Sequence, residues 1–324
     1  MIENRNKKKP GEGVVERLIE PDLAGQRIDN FLLTALKGVP RSHIYRILRR
    51  GEVRVNRGRV KPHYRLQAGD RVRIPPLRLA PAKAPPRANH PALARLRERI
   101  LYEDKDLLVV NKPAGMAVHG GSGVDFGVIE ALRQLYPRVR RLELAHRLDR
   151  DTSGCLVIAK KTSVLRALHE ALRGEGMEKC YLALVAGRFA AGETVVDRPL
   201  RKNVLRSGER LVKIDAGGKP AQTVFRLQQT FAGASLLEVR LLTGRTHQIR
   251  VHAASLGHPL AADDKYGDAA FNRRMARLGL RRLFLHARSL RFVHPASGEP
   301  LHLSAPLDED LKQLLQRLRG EEDL

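Results

Sequence analysis

Two aspartates stand between basic residues in a polar run that leads into an apolar stretch. The run spans residues 146–154 and interleaves two arginines with Asp149 and Asp151, and the apolar residues 155–159 that follow are typical of a buried strand. A carboxylate beside a guanidinium stays ionised, because the nearby positive charge favours the anion. An ionised, well-positioned carboxylate can act as a nucleophile or a general base. The alternative is an inert, salt-bridged turn before a strand.

Segments on both sides of this run must hold it in place. Short apolar runs predict strands over 106–110, 156–159, 181–185 and 236–241, and helical periodicity predicts helices over 128–135 and 164–172. The strands and helices interleave without a regular βαβ period. We therefore expect an α+β fold with a mixed, largely antiparallel sheet.

A strongly basic unit precedes this region. Helical spacing predicts helices over 28–36 and 41–50, and alternation predicts strands over 53–56 and 71–74. Between residues 41 and 61, eight Lys or Arg side chains are opposed by one acid. A merely solvated face usually mixes charges, so this surface favours phosphate binding. The candidate binding residues are Arg41, Arg46, Arg49, Arg50 and Arg54.

Prolines mark the boundary between the two regions. Six of them lie between residues 75 and 91, which predicts a semi-rigid, positively charged linker and no packed element. The sequence therefore predicts four parts, which are a basic tail over 1–19, a small module over 20–76, a linker over 77–98 and a larger domain over 99–324.

The overall charge also indicates a nucleic-acid partner. The 324 residues carry 60 Lys and Arg against 35 Asp and Glu, a net charge of +25, as expected of a protein that binds phosphates. An anionic membrane is the competing partner, but no apolar run is long enough to cross a bilayer and no signal-peptide pattern opens the chain. Two cysteines provide no disulfide framework. We expect a reduced, cytoplasmic protein without a membrane partner.

Three histidines, His247, His252 and His258, raise the question of a metal site. Zinc sites use Cys and His ligands at defined short spacings, and the spacing here fits none of them. The glycine-rich residues 120–123 lack the lysine of a P-loop and the spacing of a dinucleotide fingerprint. We therefore expect no metal.

Several segments resemble the motifs of one enzyme family. The run 146–154 resembles the catalytic motif of the RluA-type family of RNA pseudouridine synthases, 111–115 resembles its first motif, and 243–250 its third. The basic module resembles the S4 RNA-binding module. The resemblance extends from residue 26 to about residue 306. It implies an S4-like module joined by a Pro-rich linker to a pseudouridine-synthase-like catalytic domain.

The resemblance also assigns roles to individual residues. Asp149 becomes the indispensable catalytic group, with Asp151 as a second candidate, and Arg245 becomes the cation that contacts Asp149 and keeps it ionised. Tyr181 would stack on the target base and reach a proton at C5, and Arg147 would enter the RNA stack where the base has left. The sequence leaves open whether Asp149 attacks C6, attacks C1′ or removes a sugar proton. Arg245 in an ordinary surface ion pair and Tyr181 packed on a core edge are the alternatives.

The implied reaction is the isomerisation of several separated uridines in 23S ribosomal RNA, or its precursor, to pseudouridine. It needs no redox step, group donor, metal or cofactor, and we expect a monomer to perform it. One alternative is a non-catalytic RNA-binding or ribosome-assembly factor, which the basic module would also suit. A second is a hydrolytic RNA glycosylase, which would also use a carboxylate.

Overall fold

The computed structural model describes residues 13–36, 38–77, 91–120, 126–204 and 210–320. The chain separates into two compact units, Met1–Arg87 and Ala88–Leu324. The first twelve residues of the predicted tail and residues 78–90 of the predicted linker lie outside the described residues.

The first unit is a small α+β module. Its elements in chain order are β1 (Val15–Leu18), a 3-10 turn (Pro21–Leu23), α1 (Ile28–Ala35), α2 (Arg41–Arg49), β2 (Arg54–Val55), β3 (Gly58–Arg59) and β4 (Arg71–Ile74). The antiparallel sheet has the order β1-β4-β2-β3. Apolar side chains of both helices and of the sheet form one buried core.

Strand β1 lies within the range 1–19 that the sequence predicts as a tail. Its residues are mostly exposed, so the strand is stabilised by backbone pairing with β4 from Val15↔Ile74 to Leu18↔Arg71. A strand without a buried face gives no hydrophobic alternation, which is why the sequence pattern did not indicate it.

Asp29 connects the two helices of this unit. Its carboxylate is buried and accepts hydrogen bonds from Arg27 Nη2 at 2.7 Å and from the Tyr45 hydroxyl at 2.9 Å. Burial opposes ionisation, yet these hydrogen bonds together lower the pKa of Asp29. The charge-assisted contacts therefore set the orientation of α2, which carries most of the candidate arginines.

The second unit contains the larger sheet. Its elements in chain order are α3 (Pro91–Arg97), β5 (Ile100–Glu103), β6 (Leu107–Lys112), α4 (Val128–Leu135), β7 (Glu143–Leu144), β8 (Ser153–Ala159), α5 (Thr162–Arg173), β9 (Met177–Ala186), β10 (Glu193–Asp197), β11 (Leu200–Val204), β12 (Arg210–Ile214), β13 (Gln222–Phe231), β14 (Ala234–Leu241), α6 (Gln248–Ser255), α7 (Ala269–Arg277), β15 (Leu285–Val293), β16 (Pro300–Ser304) and α8 (Glu309–Gly320).

The large sheet is mixed and largely antiparallel, which confirms the predicted fold class. Among the described residues its main path is β10-β13-β14-β9-β15-β8-β6-β5, with β16 paired to β15 and β7 to β8. The parallel contact joins β15 to β8. Every residue of β8 is buried, as are most residues of β9. Strand β8 follows the loop that contains Asp149, and β9 contains Tyr181.

Helix α3 lies inside the range 77–98 that the sequence predicts as linker. Leu93 and Leu96 are buried and belong to the main apolar core of the second unit. Three-residue spacing places both leucines on one helix face. Burial of this apolar pair stabilises the helix. Its first residue is a proline, which is compatible with a helix start.

No helix in the described part of the chain combines the length and apolar character needed to cross a bilayer.

Candidate active site

The loop between β7 and β8 carries Asp149. His146 fixes its beginning, because His146 Nε2 accepts the Val157 amide at 3.1 Å. Further along the loop, the Asp149 carbonyl accepts a hydrogen bond from the Thr152 amide at 3.2 Å, which closes a turn. The loop is therefore anchored on the strand that follows it, and Asp149 is presented at the turn.

The exit of this loop has no room for a larger residue. Gly154 has a φ of +109°, a conformation that L side chains rarely adopt. A Cβ at this position would overlap the carbonyl of Ala287 on β15. Before it, buried Ser153 hydrogen-bonds His286 Nδ1 at 2.8 Å and accepts from Arg282 Nη1 at 3.1 Å. Close packing and these hydrogen bonds thus fix the position of Ser153 and Gly154, at the point where the loop joins β8.

Lys112 ties a second segment to the loop. Its ammonium is fully buried and donates to the carbonyls of Pro113, Met116 and Arg150, each at 2.9 Å. Burial lowers the pKa of Lys112 to about 7, although the charges of Asp151 and Asp149 oppose the shift. The segment 111–116 therefore acts as a scaffold for the Asp149 loop.

A cavity of about 450 Å³ opens beside the loop and collects the predicted residues. Asp149, Arg147, Tyr181 and Arg245 all line it. This volume falls in the range of roughly 300–1,000 Å³ that is usual for small-molecule sites. The loop, β9 and the segment before α6 contribute these side chains.

Arg245 does not pair with Asp149 in this structure. Its side-chain Nε donates to the Pro220 carbonyl at 3.0 Å, and its amide donates to Gln248 Oε1 at 3.0 Å. Within the described residues, the ion-pair contact of Asp149 below 4 Å is with His247, whose Nε2 lies 3.9 Å from Oδ2. The predicted contact is absent because the Arg245 side chain is engaged at the edge of the cavity.

Arg250 is a buried cation of the site that the sequence reasoning missed. It is 8% exposed, lines the cavity and lies with its guanidinium 5.1 Å from the ring centre of Tyr266. Burial would lower the pKa of Arg250, but hydrogen bonds to Asp263 and the charges of Asp263 and Asp149 raise it above its ordinary value. The sequence feature that could have indicated Arg250 is its place in the motif-like run 243–250.

Tyr181 on β9 lines the cavity and is 7% exposed. Burial, followed by the negative charge of Asp149, raises the pKa of Tyr181 well above its usual value. Within the described residues its hydroxyl has no hydrogen-bond partner. The site therefore holds a neutral phenol that is free to contact a ligand.

The arginines predicted to bind RNA are exposed. Arg147 is exposed at the mouth of the cavity. In the first unit Ile44, Ile47 and Leu48 of α2 face the core, which leaves the charged side chains of that helix outside. The exposed arginines of α2 and its surroundings are Arg41, Arg46, Arg49, Arg50 and Arg54.

Asp104, Asp106 and His294 form a cluster of two carboxylates and an imidazole that does not line the cavity. His294 Nδ1 accepts two backbone amides, at 3.2 and 3.0 Å. The other ring nitrogen, Nε2, lies 2.9 Å from Asp104 Oδ2. The Lys161 ammonium lies 2.5 Å from Asp106 Oδ1. Asp106 Oδ1 and His294 Nε2 are buried without a partner in hydrogen-bond geometry among the described residues. Their close approaches to Lys161 and Asp104 are therefore not hydrogen bonds.

Comparison with known proteins identifies this architecture. The family model for RNA pseudouridylate synthase matches residues 106–255, and the S4 domain model matches residues 26–72. The two units therefore define an RNA-modifying enzyme with an S4 domain. The chain belongs to the RNA pseudouridylate synthase family and is an RNA pseudouridine synthase.

Relatives with nearly the same length support this assignment. The chain is 57% identical to ribosomal large subunit pseudouridine synthase C of Escherichia coli (strain K12), over 93% of this chain and 96% of that protein. It is 55% identical to the enzyme of the same name from Pasteurella multocida (strain Pm70), over 98% of each. The solved structure of human RNA pseudouridylate synthase domain containing 4 has a TM-score of 0.59 and 28% identity, covering 70% of this chain and 95% of that one.

Proposed function

We propose that this enzyme isomerises uridines in 23S ribosomal RNA, or its precursor, with Asp149 as the catalytic carboxylate. The cavity that brings Asp149, Tyr181 and cationic side chains together carries the proposal. The names of the relatives support the large-subunit substrate, and the net charge of +25 suits an RNA partner. We further propose that it acts in the cytoplasm as a monomer.

The reaction rearranges bonds within one nucleotide. The bond between N1 and C1′ breaks, the uracil turns, and a bond between C5 and C1′ forms. The proton on C5 leaves, and N1 gains one, so atoms balance without an external donor. A covalent bond to Asp149 would divide this into two easier steps. Attack at C6, attack at C1′ and removal of a sugar proton all use the same carboxylate.

The target base must leave its stack to enter the cavity. The ring of Tyr181 offers an aromatic face on which the flipped uracil stacks. Exposed Arg147, at the mouth of the same cavity, is placed to occupy the space that the base vacates. The arginines of α2 and Arg54 would hold the surrounding RNA through its phosphates.

The decisive experiment is pseudouridine mapping of 23S RNA from cells that lack the protein, complemented with wild type, Asp149→Asn or Asp151→Asn. Asp151 is the matched control, because it is a carboxylate of the same loop whose side chain is 49% exposed. Wild type and Asp151→Asn should restore the lost marks, and Asp149→Asn should not. Restoration by Asp149→Asn would favour the RNA-binding factor, and release of free uracil would favour the glycosylase.

A further inference from the structure

His247 has a strained backbone at the edge of the cavity. It precedes α6 with φ of 53° and ψ of 21°, the left-handed region that residues other than glycine seldom adopt. Its side chain is 12% exposed and lines the cavity. Such strain persists where the surroundings hold a residue in place, and it is concentrated at functional sites.

Tyr266 fixes the orientation of this imidazole. The tyrosine hydroxyl lies 2.9 Å from His247 Nδ1, and the two rings meet edge to face at 5.6 Å. The same hydroxyl oxygen accepts the Val212 amide at 2.9 Å. Among the described residues the hydroxyl proton has no acceptor other than Nδ1, and when the hydroxyl donates this proton Nδ1 is the acceptor.

The hydrogen-bond pattern decides which nitrogen carries the proton. A neutral imidazole that accepts at Nδ1 has its hydrogen on Nε2. Burial first, and then the charges of Arg250 and Lys265, lower the pKa of His247, while Asp149 and Asp263 oppose this. The neutral ring therefore has its N–H donor at Nε2, which lies 3.9 Å from Asp149 Oδ2.

This separation suits a bridging group. It is too long for a direct hydrogen bond, which spans roughly 2.7–3.2 Å. A hydroxyl oxygen beside the line that joins His247 Nε2 and Asp149 Oδ2 can hydrogen-bond to both atoms. It must accept from the imidazole and donate to the carboxylate. The uracil carbonyls only accept. The ribose 2′-hydroxyl both donates and accepts, and it is the group that distinguishes RNA from DNA.

We propose that His247 is a further catalytic residue, whose Nε2–H donates to the 2′-hydroxyl of the target uridine while that hydroxyl donates to Asp149. The inference rests on the proposed function, since it requires a uridine in the cavity. Tyr266 is then a positioning residue, because it acts on the substrate only through the histidine.

The test uses a synthetic RNA hairpin that contains a uridine whose mark is lost in the cells lacking the protein. The hairpin is made with uridine or with 2′-deoxyuridine at that position, and dissociation constants are measured for both. His247→Gly removes the side chain and relieves the backbone strain. His247→Asn keeps a polar residue that tolerates the left-handed conformation. Tyr266→Phe removes only the hydroxyl.

In the wild-type enzyme the 2′-deoxy substitution should weaken binding. In His247→Gly this penalty should shrink by about 2-fold to 10-fold, the range for one hydrogen bond, and Tyr266→Phe should shrink it less. His247→Asn should retain the penalty better than His247→Gly. Thermal unfolding of each variant shows whether the fold is retained. A purely structural role of His247 would weaken binding of both RNAs equally, so the ratio of their dissociation constants would not change.

Equal penalties in the wild type and in His247→Gly would overturn this inference and leave the proposed function intact. A 23S RNA in which no mark depends on the protein would overturn the proposed function, and the inference with it.

Discussion

Arg250 and Asp263 form a buried two-point ion pair beside the cavity. Arg250 Nε donates to Oδ2 at 2.7 Å and Nη2 donates to Oδ1 at 2.6 Å. Oδ1 also accepts the amides of Lys265 and Tyr266, at 2.9 and 3.0 Å. Asp263 is 2% exposed. The carboxylate thereby fixes a guanidinium near Asp149 in a place that water hardly reaches.

Asp263→Asn should destabilise the protein and abolish pseudouridine formation. Removal of one partner leaves a buried charge without compensation, which costs about 3–5 kcal/mol. Arg250→Lys should also lose activity, since an ammonium cannot make the two-point contact. Chemical denaturation gives the free energy of unfolding, and an RNA assay gives the activity. Glu193→Gln is the control, because Glu193 is half exposed and lies 3.9 Å from Arg240. Its loss should cost less than about 1 kcal/mol, and a similar cost for Asp263→Asn would contradict the argument.

Tyr181→Phe should bind RNA as wild type does and turn over more slowly. The ring proposed to stack on the base remains, whereas the hydroxyl is lost. Dissociation constants and single-turnover rates on one RNA hairpin separate the two effects. Tyr102→Phe is the control, because that hydroxyl contacts Asp104 at 3.0 Å and does not line the cavity. Wild-type turnover by Tyr181→Phe would show that the hydroxyl takes no part in the rate-limiting chemistry.

The sequence indicated the segments of the candidate site better than the contacts between them. Asp149, Tyr181 and Arg245 line one cavity, as predicted. The prediction was possible because each residue lies in a short motif whose local sequence is informative. The partner of Asp149 was not predictable in the same way. Whether a cation of the run 243–250 points towards Asp149 depends on distant groups, such as Asp263 for Arg250 and Pro220 for Arg245.

The same reasoning explains the other differences. The segment 111–115 was found only as a motif resemblance, because the contact of Lys112 with the Arg150 carbonyl joins residues 38 positions apart. His247 was considered only as a metal ligand, because its relation to Tyr266 arises from folding of the chain. Periodicity finds buried faces, so it predicted most central strands well and did not indicate the exposed strand β1.

The basic surface of α2 should control RNA affinity through salt. Simultaneous reversal of Arg46, Arg49, Arg50 and Arg54 to Glu should weaken binding and flatten the dependence of log K on log salt. Each lost phosphate contact lowers the slope by roughly 0.7–0.9. The single variants Arg49→Glu and Lys312→Glu make the same charge change at exposed sites on α2 and α8, and Lys312→Glu should alter the slope less. An unchanged slope in the fourfold variant would exclude this surface as a phosphate-binding site.

His146 should make the protein less stable in mild acid. Burial first, and then the charge of Lys179, lower the pKa of His146 to about 4. The unfolded chain takes up this proton near the ordinary pKa of about 6.5, whereas the folded protein does not until about pH 4. Stability is therefore present above pH 6.5 and is lost as pH falls towards 4, by at most about 3 kcal/mol from this group.

His146→Gln isolates this contribution. Glutamine does not titrate and can still accept the Val157 amide, so its free energy of unfolding should fall less between pH 7 and pH 4.5 than that of the wild type. Urea denaturation at several pH values in this range measures the difference. His302→Gln, at an exposed position on β16, controls for the exchange of histidine for glutamine. Parallel stability curves for the wild type and His146→Gln would show that the histidine is not held neutral, and the anchor that it provides for the Asp149 loop would then require a different explanation.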